Sequence, residues 1–115
     1  MTVTTNLPVA VIGAGPIGLA AAAHLLERGL EPLIFESGPA AGAAIGQWRH
    51  IRLFSPWRFN IDAAAARLLS ASGWEAPRPT ALPSGGELID QYLTPLAALP
   101  AMASRLHTGA RVVAV

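Results

Sequence analysis

The chain has no cysteine and, since all eight of its basic residues are arginine, no lysine. Without cysteine there is no disulfide framework, thiolate zinc site, C-x-x-C redox pair or thiol nucleophile. Without lysine, Schiff-base chemistry and the phosphate-gripping lysine of a P-loop are closed. Charge of either sign is sparse, at 13% of 115 residues against 52% hydrophobic, which excludes a disordered charged tail. Eight basic and seven acidic residues leave a formal charge of +1, too balanced for a nucleic-acid partner gripped by a basic face. Long hydrophobic runs are missing too. The stretch from Val9 to Ala23 falls short of the about 20 residues a membrane span needs and is broken by Pro16 and three glycines. No Lys or Arg precedes it in residues 1–8, so it lacks the charged start of a secretory signal. These absences read as a cytoplasmic chain with no membrane span.

Chemistry borne by single side chains is equally thin. His24, His50 and His107 stand at no metal-ligand spacing, so no metal site is expected, and His107 reads as part of a turn beside Gly109. Ser55, Ser70 and Ser72 have no G-x-S-x-G setting. No residue is singled out as catalytic.

What the sequence does hold is a β-α-β pattern. Val9–Ile12 is an apolar run bounded by Pro8 and Gly13, the composition of a strand buried on both faces. Pro16 to Arg28 reads as a helix, with proline at its first position and Gly29 past its end. His24, Glu27 and Arg28 mark its wet side. Pro32 to Glu36 reads as a second strand, giving a parallel pair with a crossover helix. Residues 37–105 then form a largely helical insertion. In it Asp62 opens a helix ended by Gly73, and Ser84 with Glu87 has the spacing of a capping box. The helix opened there carries a stripe through Leu88, Tyr92 and Leu96, with Pro95 set to kink or restart it. Arg111–Val115 reads as a third strand. The fold class expected is α/β, a partial Rossmann-like fold of parallel strands with a helical insertion between the second and third.

Inside the β-α-β pattern lies Gly13-Ala14-Gly15-Pro16-Ile17-Gly18, a G-x-G-x-x-G that follows a strand, opens a helix and is followed by an acid, Glu36, closing the next strand. Each part has a physical role. Gly13 allows the tight turn, Gly15 lets a pyrophosphate approach the backbone, and Gly18 lets helix and strand pack closely. The helix N-terminus presents free N–H groups and about half a positive charge to that pyrophosphate. Glu36 can accept hydrogen bonds from ribose hydroxyls and would repel a 2′-phosphate.

The segment Val11-Ile-Gly-Ala-Gly-Pro-Ile-Gly-Leu19, with Ala23, Leu26, Gly29 and Glu36, resembles the N-terminus of two-dinucleotide-binding-domain flavoproteins. These are FAD-dependent oxidoreductases that include flavin monooxygenases and pyridine-nucleotide-disulfide reductases. The match spans Pro8 to Glu36, about a quarter of the chain. A second likeness, Gly46-Gln47-Trp48-Arg49, is similar to the Gly-Gly-x-Trp segment of flavin-containing monooxygenases, with one glycine where that family has two. The resemblance implies FAD as cofactor, held by residues 13–18, by Glu36 with Ser37 beside it, by Gln47 and Trp48, and by the backbone of Val112 near the adenine. It leaves NAD(P)H open for the full-length protein and the small-molecule substrate unnamed. Two alternatives stand beside it: a non-catalytic or truncated nucleotide-binding module, and the NAD-binding domain of a dehydrogenase. Against the last, about 75 residues separate Glu36 from Val112, far beyond ordinary loop lengths. A doubly wound domain needs more strands than three, so the chain is expected to be the opening portion of one. Its apolar terminal strand is expected to promote self-association.

Overall fold

The computed structural model describes residues 7–114. Its β1 (Val9–Ile12) and β2 (Pro32–Phe35) are joined by α1 (Pro16–Glu27) and pair in parallel, from Val9 opposite Pro32 to Ile12 opposite Phe35. Proline opens α1 where a missing N–H costs nothing, and Gly29, at φ +73°, follows its C-cap Arg28. A third strand, β3 (Leu106–His107), adds to β2 in parallel and gives the order β1-β2-β3. The chain therefore has a Rossmann-like α/β fold, a three-stranded parallel sheet with a helical insertion between β2 and β3.

The strands differ from expectation in two places. The third strand is at 106–107, not 111–115: residues 111–114 carry no strand and Val115 lies outside the described residues. The short β2 is already filled. Ile34 N–H donates to Arg105 and Glu36 N–H to His107, after which Gly109, at φ +61°, turns the chain so that Gly109 and Ala110 donate to Gly38 and Glu36. His107 accordingly lies in β3, its ring stacked on Phe35 at 5.5 Å, and not in a turn. Apolar composition marked the later valines, but the hydrogen-bonding register had no place for them.

The second correction concerns β1, which is not buried on both faces. It is the sheet edge, and only Val11 is buried. Helix α1 covers the face carrying Val11 and Ile34, burying Leu19, Ala22 and Ala23 against it. Among the described residues the opposite face, where Ile12, Phe35 and His107 stand side by side in register, has no such cover, and Ile12 is 58% exposed.

The insertion begins with α2 (Ala43–Gly46), then a 3₁₀ turn (Trp57–Phe59) and α3 (Ala63–Ala71). Asp62 caps α3 by accepting from the Ala65 N–H, as its position before the alanine run suggests. The side of α1 expected to be wet is exposed at Glu27 and Arg28, and its polar groups also reach α3. His24 Nε2 lies 2.8 Å from Asp62 Oδ1, and Glu27 takes a bidentate pair from Arg67 at 2.6 and 2.8 Å. Within the insertion, an isolated antiparallel bridge joins Arg52 to Ser84.

The capping box at Ser84 and Glu87 is present in full and opens α4 (Gly85–Leu88). The helix then widens into a π segment (Ile89–Leu93) before α5 (Thr94–Ala98) and α6 (Pro100–Ala103). Pro95 explains the widening. It has no N–H for the carbonyl four residues back, Gln91, and Thr94 N–H reaches Ile89 O, five back. The Gln91 carbonyl is satisfied from outside, by the Trp74 indole N–H at 2.9 Å. One core runs through both parts of the chain, from Val11 and Leu19 to Leu69, Tyr92 and Met102.

Candidate functional site

The glycine turn lies between β1 and α1, and its three glycines differ in what requires them. Gly13 sits at φ +97°, a conformation that side chains avoid, and donates to Phe35 O across the strand ends. At Gly18 a Cβ would lie 1.9 Å from the Gly13 carbonyl oxygen, so helix and strand could not pack with any side chain there. Gly15 has neither reason. Its φ of −86° and ψ of −169° suit any residue, and a Cβ built on it meets nothing within 4 Å. It is the N-cap of α1 and has no side chain to bond the helix end. The first intrahelical donor is Leu19 N–H, to Gly15 O. The Ile17 and Gly18 N–H groups therefore have no partner within the helix, and Ile17 is 87% exposed beside them.

Glu36 closes β2 against this turn. Its Oε1 accepts from Ala14 N–H at 2.8 Å and its Oε2 from Gly38 N–H at 2.7 Å. A carboxylate has about four lone-pair positions, so two remain for a ligand. Ala14 itself is fully buried, and its carbonyl accepts from Gly42 N–H at 2.9 Å. Gly38 and Gly42 were not singled out by the sequence. Glycines in an Ala-Gly-rich loop give no sign of which N–H will be used.

The remaining expected site residues divide. Pro16 and Ile17 belong to the turn, and Ser37 follows Glu36, exposed. Gln47, at the C-cap of α2, is exposed. Trp48 packs on the start of α4, where a Cβ at Gly85 would come within 2.8 Å of its ring. Arg49 and Arg52, the nearby cations, pair with Asp90 and Glu87, while His50 is exposed. Val112 lies in irregular chain after β3, 36% exposed. The structure thus joins residues 13–18 with Glu36 through hydrogen bonds, and sets Trp48 against the insertion's own helix.

Titration is perturbed mainly around the insertion. Partial burial pushes the Asp62 carboxyl upward, but the N–H groups of Ala65 and Ala64 and the His24 ring outweigh it and hold it below its ordinary value. Burial pushes the Tyr92 hydroxyl up; that oxygen accepts from Asp62 N–H at 3.2 Å. Among the described residues no group of three His, Asp or Glu could hold a metal ion, and no helix is long and apolar enough to cross a membrane.

With this geometry in place, comparison with known proteins is informative. Residues 11–75 match the family model described as NAD(P)-binding Rossmann-like domain. Thiamine thiazole synthase of Pyrobaculum calidifontis is 48% identical over 42 residues, 36% of this chain and 16% of that protein. The dual trans-enoyl reductase/FAD-dependent monooxygenase tazHJ of Aspergillus terreus is 46% identical over 78 residues, 61% of this chain and 11% of that protein. Among solved structures, OTEMO in an FAD-bound form is 25% identical with a TM-score of 0.63, over 94% of this chain and 20% of that one. Oxidised steroid monooxygenase bound to NADP is 19% identical with a TM-score of 0.66, over 90% of this chain and 20% of that one, a likeness of fold. The chain spans 16% or less of these curated relatives and a fifth of these solved chains.

Proposed function

The chain belongs to the NAD(P)-binding Rossmann-like domain family, and from that premise we propose that it is the FAD-binding portion of a flavin-dependent, NAD(P)H-linked oxidoreductase of the monooxygenase kind. The observation that carries the reading is Gly15. Neither its backbone angles nor any neighbouring atom calls for glycine, so the open space in front of α1 is kept for something that approaches the helix end. A pyrophosphate fits that space: the N–H groups of Gly15, Ile17 and Gly18 would donate to it, and the helix dipole favours its charge. Glu36, held at both oxygens by backbone amides, would accept from the adenosine ribose with its free lone pairs and disfavour a 2′-phosphate there.

Bound FAD supplies the redox chemistry, accepting a hydride and passing electrons on. The chain's own residues bind and orient it. The FAD-bound form of OTEMO and the name of the A. terreus FAD-dependent monooxygenase favour FAD as the cofactor, as does the insertion between β2 and β3. Gln47, Trp48 and the Val112 backbone enter the reading as flavin- and adenine-side contacts on the strength of the family likeness. Substrate and electron acceptor belong to the rest of such an enzyme, and a cytoplasmic location goes with the same reading. Self-association of the isolated chain is proposed through the exposed β1 edge, since residues 111–114 form no strand.

The test is to purify the chain, look for a protein-bound yellow flavin and identify it after heat release. Retention or uptake of FAD is expected. Colourless protein that ignores FAD but is stabilised by NAD would replace the reading with a dehydrogenase domain, and indifference to both would leave a non-catalytic module. Gly15→Val should abolish FAD binding while costing stability no more than an unfavourable N-cap does, about 1 kcal/mol.

A further inference from the structure

The peptide bond between Ala14 and Gly15 matters to the turn, because its N–H is the Gly15 donor that the nucleotide reading assigns to the pyrophosphate. A trans peptide is planar, with its C=O and N–H pointing in opposite directions. Whatever fixes the Ala14 carbonyl therefore fixes the direction of the Gly15 N–H. That carbonyl is held by a single backbone bond, from Gly42 N–H at 2.9 Å. Glu36 grips the other side of Ala14, through its N–H. Ala14 is fully buried, so water cannot stand in for either partner.

Glycine suits Gly42's position, where a side chain would be strained. It lies at φ +74°, and a Cβ there would come within 3.1 Å of Leu93 Cδ1 and 3.2 Å of Ile89 Cγ1. Both of those residues are buried in the π segment. A methyl group would strain the backbone and press on the helix at once, drawing the Gly42 N–H away from Ala14. The π segment, Gly42 and the Ala14–Gly15 peptide thus form one packed line from the insertion to the glycine turn.

We infer that Gly42 is a positioning residue for the nucleotide: it stands outside the G-x-G-x-x-G fingerprint and sets the Gly15 N–H through the Ala14 carbonyl. The inference rests on the nucleotide reading above and adds the insertion to the binding machinery.

The experiment uses the full chain, isotopically labelled, with ADP, FAD and adenosine as probes. In the free wild-type chain the Gly42 amide should exchange as slowly as the hydrogen-bonded Ile34 amide of β2. Gly42→Ala should weaken ADP and FAD by about tenfold, the effect of one buried hydrogen bond lost. Adenosine, which lacks the pyrophosphate, should change by less than about threefold. Loss of general structure would weaken all three alike. A folded variant with wild-type ADP affinity, equal losses for ADP and adenosine, or a Gly42 amide exchanging at exposed-loop rates in the wild type would each overturn the inference. The exchange result decides even if the variant does not fold. A wild-type chain that binds neither ADP nor FAD would overturn the nucleotide reading, and this inference with it; wild-type binding with an unaffected variant would overturn the inference alone.

Discussion

The β-α-β unit, residues 9–36, and the insertion that follows it are held in different ways. In the first, backbone does nearly everything: a parallel ladder, a helix with no side-chain cap, and glycines whose absent side chains create either close packing or open space. In the second, short helices are begun by side-chain caps at Asp62 and Ser84 and tied by arginine–acid pairs and an indole clip. The lesson is that a nucleotide turn tolerates little chemical variety at its centre, while the segment that braces it can be assembled from many small, replaceable contacts.

That contrast can be broken from either side, and the largest effect should come from the β-α-β unit. Gly18→Ala forces a methyl to within 1.9 Å of the Gly13 oxygen, and overpacking of this kind costs about 1–3 kcal/mol or more. In a domain with a total stability of about 5–15 kcal/mol, thermal denaturation should show a large drop in melting temperature. Gly15→Val should lower that temperature far less and remove binding instead. Equal destabilisation by the two would erase the distinction between glycines the fold needs and the glycine the ligand needs.

The junction between the regions comes next. Asp62→Ala removes the α3 cap and the partner of His24 and should cost about 1 kcal/mol in chemical denaturation. Its acid dependence has a definite sign. The Asp62 carboxyl is held below its ordinary value in the folded chain, so the stability it contributes is complete above the ordinary carboxylate pKa. It is lost as pH falls through the lowered one. Asp62→Asn, which can still cap, should flatten the stability profile across that acidic window.

Within the insertion, Trp74→Phe removes the donor to the Gln91 carbonyl, which Pro95 cannot supply. The site is solvent-accessible, so the loss should be at the low end for a hydrogen bond, about 0.5–1 kcal/mol. The smallest change in stability is expected at the sheet edge. Ile12→Lys, on an exposed face, should alter the melting temperature little yet lower concentration-dependent association in sedimentation. Unchanged association would remove β1 from that role.

The regions also differed in how far the sequence disclosed them. The β-α-β unit was legible to within a residue at each boundary because proline and glycine punctuate it and its spacing is set by a recurring turn. Asp62 and Ser84 announced their helices for the same local reason. What escaped depended on register and on distant partners. The third strand was misplaced because Val112 and its neighbours are more apolar than Leu106–His107, whereas β2 selects by hydrogen bonding. The polar face of α1 is exposed as read, but its ties to α3 escaped because His24 and Glu27 give no hint of Asp62 and Arg67, roughly forty positions away. Gly42 was passed over since a positive φ leaves no mark on composition.

The placement of Trp74 beside Tyr92, with ring centroids 6.4 Å apart, has an optical consequence. All three tryptophans and the single tyrosine fall between positions 48 and 92. Near-ultraviolet emission from this chain therefore reports on the insertion alone, and the β-α-β unit is almost dark. A flavin seated at the glycine turn would bring its own visible absorption to the dark half. The two parts of the molecule would then carry separate colours, and energy transfer from tryptophan to flavin would register whether they remain joined.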